Sequence, residues 1–314
     1  MANQDITSQS ASLGATGANV LLRFLTTEFV RAARDWGGPI RYVMDVSPAL
    51  SAMGQKVGVR VAPNVTSRLL TDGSAKTLDD DTGTTVDVTL NRTRYCAFGI
   101  TDVAAAMDGR ASDPMLISSR VAGLLNGIEE DVMSVATTGF TTTTAQGTYN
   151  TALTEAAFGA AVSQVLNQKP PDDGQLIAMV RSGATSYDAL LALPAFSYAL
   201  NTGLGVGAQV SQNMGQGRPF HGARTFMSQA MPLNGTSTDN LVFHRSAIAV
   251  AMRNLETPPD GLGVLSETVF DAASGITFQI RLQYDITRMA VEFVCSVLYG
   301  FAVVQPNYGC LLKS

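Results

Sequence analysis

Hydrophobic positions recur along this chain with two periods, and the switches between them mark out its elements. Leu21, Leu22, Leu25, Phe29 and Val30 recur near helical spacing, which predicts a short helix up to Trp36-Gly37-Gly38-Pro39. In GQKVGVRVAP, Val57, Val59 and Val61 alternate with Lys56, Gly58 and Arg60 until Pro63 stops the strand. Residues 85–102, TVDVTLNRTRYCAFGITD, alternate through Val86, Val88 and Leu90, meet the polar Asn91-Arg92-Thr93-Arg94, and alternate again through Cys96, Phe98 and Ile100. A period of two gives a strand one buried face and one wet face. About twenty polar residues join these strands, so the pair reads as a long hairpin with a polar tip, a loop length that usually serves a function.

Asp113-Pro114 supplies a cap and a first helical residue. Ile117, Val121, Leu124, Ile128, Val132 and Val135 then step by three or four, predicting a helix closed by Thr137-Thr138-Gly139. Such a helix of some 24 residues is about 36 Å long. Gly127 inside it costs about 1 kcal/mol of propensity, which the packed face has to offset. Glu129, Glu130 and Asp131 are consecutive, so they fan around the helix instead of converging, and read as its wet face.

The pattern then mixes helices and strands. Phe158, Ala161, Val162, Val165 and Leu166 form a helical face ending at Pro170-Pro171. QLIAMV is a short buried strand, and Ser186 opens a helix through Leu193. RTFMSQAMP and NLVFH read as strands and RSAIAVAMRN as a helix. A long hairpin follows, Val264 to Asp271 and then ITFQIRLQYD, with its turn at Ala273-Ser274-Gly275; strand-like sequence runs on through LYGFAVVQP. There is no internal repeat.

Composition narrows the chemistry. The 314 residues are 46% hydrophobic, enough for one large core or two modest ones. Only 15% are charged, which is low for a solvated monomer and points to surface that meets other protein. A net charge of −5 without long basic runs argues against a dedicated nucleic-acid binder. The first 19 residues lack the basic and apolar regions of a signal peptide. Val291–Val304 is too short for a membrane span, so a soluble intracellular protein is expected.

Cys96, Cys295 and Cys310 show no metal or redox spacing and read as small apolar residues; His221 and His244 read as structural. TGLGVGAQV has G-x-G-x-G spacing without a preceding strand, which favours a flexible loop over a phosphate cradle. Asp79, Asp80 and Asp81 lack the alternation of a calcium loop and read as an exposed acidic turn, with a sharper reading as a contact for a basic patch on a neighbouring chain. No catalytic residues, cofactor or metal are expected.

In order, the leading arm, the short helix, the strand GVRVAP, the long polar hairpin, TVDVTLN with AFGITD, the long helix, and then NLVFHRSAIAVAMRNLETP, QIRLQYD and LYGFAVVQP resemble the major capsid (coat) proteins of tailed bacteriophages. The likeness spans roughly residues 17–306. It implies an α+β, Hong Kong 97-like fold with an N-terminal arm (1–53), an extended loop (54–100), a peripheral domain with a spine helix (101–149), an axial domain (150–255), and a peripheral return with C-terminal strands (256–314).

The same resemblance implies self-assembly into hexamers and pentamers of an icosahedral shell around double-stranded DNA, made in the bacterial host cytoplasm and resident in the virion. Implied partners are copies of the chain, a scaffolding protein, a portal and a decoration protein, with DNA held by proximity and no membrane. Subunit contacts are expected at Arg68, Lys76, Asp79, Asp80, Asp81, Arg92 and Arg94. Some relatives make a Lys–Asn crosslink; Lys76 lies in the corresponding loop, but no matching acid and Asn motif can be placed. An encapsulin-type nanocompartment shell holding enzyme cargo is the alternative.

Overall fold

A computed structural model of the chain describes residues 26–31, 39–50, 54–61, 83–103, 114–140, 143–193, 218–259, 264–271 and 276–314, with positions 69, 72, 75 and 76. Two mixed sheets and the long helix Pro114–Gly139 make most of the described body.

The first sheet contains β1 (Met44–Asp45), β4 (Arg92–Thr101), β11 (Ile248–Arg253), β12 (Leu265–Asp271), β13 (Ile276–Asp285) and β14 (Ala290–Val303). β14 is its spine, with β4 along one edge and β13 followed by β11 along the other. Phe293, Cys295, Val297 and Tyr299 alternate on the β14 face that joins the main core with the long helix. Phe29, from the helical turn 26–31, packs edge-on against Phe278 with ring centroids 5.1 Å apart.

The second sheet runs β5 (Gln146–Gly147), β15 (Gly309–Lys313), β10 (Ser237–His244), β6 (Leu176–Val180), β8 (Ala223–Met227), β7 (Arg218–Phe220), with β9 (Leu233–Asn234) on β10. Both of its faces are covered, so β6 is buried throughout: Ile177 and Met179 join the main core, Leu176, Ala178 and Val180 a second core under the helix Glu155–Asn167. Thr154 caps that helix by accepting from the Ala157 amide at 3.2 Å. Ser186 precedes the helix Tyr187–Ala192, but its hydroxyl bonds Ser314 Oγ at 2.6 Å instead of capping.

The segment Ile248–Arg253, expected to be helical, is strand β11 after the 3₁₀ turn Arg245–Ala247. It lies between β1 and β14, and five of its six residues are buried. A strand covered on both faces carries a continuous apolar run, and periodicity then fails to separate it from a buried helix.

Strands β2 (Lys56–Val61) and β3 (Thr84–Thr89) form a separate antiparallel ribbon, from Lys56↔Thr89 to Val61↔Thr84. β3 passes through Leu90-Asn91 directly into β4. The base of the ribbon is seated on the first sheet, where Val88 and Leu90 pack with Ala249, Ala251 and Val304.

Candidate functional site

The base of the ribbon crosses β14 at a close backbone approach. Gly300 of β14 lies beneath it: a Cβ there would stand 2.0 Å from the Thr89 carbonyl oxygen and 3.0 Å from Leu90 Cα. Only a residue without a side chain lets the two backbones approach this closely. Leu90 N donates to Gln55 O at 2.8 Å, closing the base. Arg253 Nη1 donates to Gly54 O at 3.1 Å, and Lys56 Nζ pairs with Asp87 at 2.5 Å across the ribbon.

Past the crossing lies the arginine junction. Along β4 the half-buried positions are Arg92, Arg94, Cys96, Phe98 and Ile100, while Thr93, Tyr95 and Ala97 are exposed. The arginines therefore do not break the alternation. They continue its inward phase and reach the long helix. Asp131 receives both: Arg94 Nε donates to Oδ2 at 2.7 Å, and Arg92 Nη1 lies 3.0 Å from Oδ1. Tyr299 Oη also donates to Asp131 Oδ2. The Arg92 guanidinium sits 4.8 Å from the centroid of the Phe301 ring. Gly127 makes room, since a Cβ there would meet Arg94 Nη1 at 2.3 Å.

The electrostatics follow from these contacts. Burial opposes ionisation of Asp131, but the hydrogen bonds from Arg94 and Tyr299 and the two arginine charges outweigh it and hold its carboxyl below the ordinary range. The hydrogen bond to Asp131 raises Arg94 in turn. Tyr299 is pushed up to about 12, first by burial and then by Asp131.

The expected wet face of the long helix is overturned at Glu129. This residue is only 7% exposed, and burial pushes it up to about 8 against the opposing charge of Arg41. The neighbouring Asp131 is committed to the junction, and only Glu130 of the three is exposed. Consecutive residues fan around a helix, and here two packed elements meet that fan.

Of the expected contact residues, Arg92 and Arg94 are brought together and Lys76 is exposed. Arg68, Asp79, Asp80 and Asp81 lie outside the described residues, as do the glycines of 202–210. Sequence reasoning missed Asp131, Tyr299 and Phe301 as partners of the arginines. The available signal was phase: Arg92 and Arg94 stand an even number of residues from Cys96 and Phe98.

Elsewhere the surface carries apolar groups fit for burial. Val103, Tyr284, Ile286 and Met289 are exposed where β4 ends beside the β13–β14 turn; Asp102 N donates to Met289 O at 2.9 Å, and Tyr284 Oη to Asp102 Oδ2 at 2.6 Å. His244 is buried between Asp173, 2.8 Å from Nε2, and Ser246, 2.7 Å from Nδ1. Among the described residues, no three His, Cys, Asp or Glu gather to hold a metal, and no helix is long and apolar enough to cross a membrane.

The chain matches no family model and no curated protein by sequence. Among solved structures it is similar to the fold of tailed-phage capsid chains. A chain from Mycobacterium phage Che8 is 14% identical, with 86% of this chain and 89% of that one covered at TM-score 0.58. The capsid of cyanophage P-SCSP1u gives 12% identity, 86% of both chains and TM-score 0.55. The mature capsid of bacteriophage PhiM1 gives 12% identity, 87% and 85% coverage and TM-score 0.51. The chain therefore has the α+β, Hong Kong 97-like fold of the tailed-phage major capsid proteins.

Proposed function

We propose that this chain is a shell subunit whose copies assemble, as hexamers and pentamers, into the icosahedral capsid of a tailed bacteriophage around double-stranded DNA. The observation that carries the reading is the β2–β3 ribbon. It is a two-stranded sheet of its own, a strand pair of neither larger sheet, and it rests on the body through one small cluster in which Val88 and Leu90 are buried and Val59 and Val61 are partly buried. An isolated two-stranded hairpin is marginal in water, so this one gains its remaining burial by lying across a neighbouring copy. The exposed apolar end at Tyr284, Ile286 and Met289 supports the same reading. Obligate assembly of this kind buries about 2,000–5,000 Å² per interface, and closed symmetry adds many weak contacts together.

The contacts expected at Arg68, Lys76 and Asp79–Asp81 belong to the segment that joins β2 to β3, and on this reading that segment meets the neighbour. Arg92 and Arg94 offer it their solvent-facing edges, since both side chains stay about two-fifths exposed while paired with Asp131. A scaffolding protein, a portal and a decoration protein are the implied partners, with assembly in the host cytoplasm and a final place in the virion. The net charge of −5 fits a lining that does not grip DNA.

Electron microscopy of the purified chain, with and without a co-expressed scaffold, tests the proposal. Closed particles are the expected result, with ultraviolet absorbance dominated by nucleic acid once they are made together with the portal in the host. Particles filled with protein cargo favour the encapsulin-type shell. A chain that stays a single copy under all conditions overturns both.

A further inference from the structure

Two of the three cysteines face one another. In the register of β4 and β14, Cys96 stands directly opposite Cys295, and both side chains pack at the main core under the long helix. Directly opposed residues of an antiparallel pair have Cα atoms about 4.5–5.5 Å apart. That lies within the roughly 4.4–6.8 Å that a disulfide spans without moving the backbone. Both thiols are free; Cys295 is buried and Cys96 is partly open.

The opening is a cleft of about 470 Å³ between β4 and the long helix, lined by Arg94, Tyr95, Cys96, Ser119 and Arg120 among others. A cleft of this size admits a peptide-sized molecule. Its chemistry separates the two thiols. The hydrogen bond with Cys295 is the main influence lowering the Cys96 thiol, working against burial and helped by the charge of Arg120. Burial, followed by the contact with Cys96, pushes Cys295 the other way. An accessible, more acidic thiol in front of a buried one is the arrangement of an attacking and a resolving cysteine. Cys310 belongs to the second core, where burial pushes it up to about 11.

We propose that Cys96 is a thiol modification site: through the cleft it attacks a low-molecular-weight disulfide, and Cys295 resolves the adduct into a Cys96–Cys295 bond between β4 and β14. In the first step Cys96 Sγ bonds to one sulfur of the disulfide RSSR, and RS⁻ leaves. In the second, Cys295 loses its proton, its Sγ attacks Cys96 Sγ, and the second RS⁻ leaves. Two protein thiols are oxidised by two electrons, and one RSSR becomes two RSH, which take up the two thiol protons. The bond ties β4 to β14 two residues from Arg94, on the strand that continues into the ribbon. This inference does not depend on what the chain assembles into.

Oxidised glutathione is the probe, applied to the full-length purified chain. Intact mass is expected to fall by two hydrogen atoms, and a non-reducing digest is expected to join the Cys96 and Cys295 peptides while Cys310 stays free. In Cys295→Ala the reaction stops half way, leaving one glutathione on Cys96; in Cys96→Ser neither product forms. Thiol-alkylation rates on the untreated chain give an independent reading, with Cys96 about tenfold faster than Cys310. A stable glutathione adduct on the unmutated chain, an unreactive Cys96 in the folded protein, or a first adduct on another cysteine each overturns the proposal.

Discussion

Asp131 and Glu129 lie two residues apart on one helix and respond to pH in opposite directions. Asp131 is held below the ordinary carboxylate range by its arginines and Tyr299. Its contribution to stability is therefore complete above its unfolded value and lost as pH falls through the lower folded value. Glu129 is raised from 4.5 to about 8 by burial. Across that window the folded chain holds a proton that the unfolded chain has released, so stability falls as pH rises toward 8. Glu129→Gln removes that loss: the variant gains on the order of 4 kcal/mol over the unmutated chain near pH 8 and about nothing near pH 4. Urea unfolding at the two pH values measures the difference. Asp131→Asn leaves two part-exposed guanidinium groups without their anion, a loss of about 1–2 kcal/mol after solvent screening, read from the same curves at pH 7.

At the scale of elements, the decisive contact is backbone on backbone. Gly300→Ala places a methyl group 2.0 Å from the Thr89 carbonyl oxygen, with no flexible side chain to yield. The ribbon base has to lift from β14, costing about 2–4 kcal/mol. Hydrogen exchange is expected to show lost protection at Leu90 and Thr84–Thr89 while the second sheet keeps its own. Gly127 is a different case, because its close neighbour is the movable end of Arg94.

The elements also show what a pattern can carry. The hairpin strands and the helix Pro114–Gly139 followed their periods because each has one wet side. β11 reads as a helix because it has none, and β15 leaves no signal because a five-residue strand needs its partners β10 and β5 to exist.

For the whole molecule, the proposed role of the ribbon predicts that folding and assembly can be separated. Val61 pairs with Thr84, so replacing residues 62–83 with a two-residue Asn-Gly turn closes the hairpin without touching its base. The shortened chain is expected to keep its thermal unfolding within a few degrees, since the three described core clusters and the strand pairing from Lys56–Thr89 to Val61–Thr84 are left in place. It is also expected to form no closed particles, which sedimentation and microscopy measure. Intact particles from the shortened chain would remove the ribbon from the assembly mechanism.

What the chain determined by itself is the set of elements with a polar side and their order, because a side chain's distance from water is written into a period of two or of three to four. The order of weak motifs was enough to anticipate the capsid fold. Only the tertiary structure decided where the arginines point, which acid is buried, why Gly300 is a glycine, and that Cys96 meets Cys295. Each of these depends on groups far apart in the chain, such as Arg94 with Asp131 and Thr89 with Gly300, and local spacing holds no record of a contact made across such a distance.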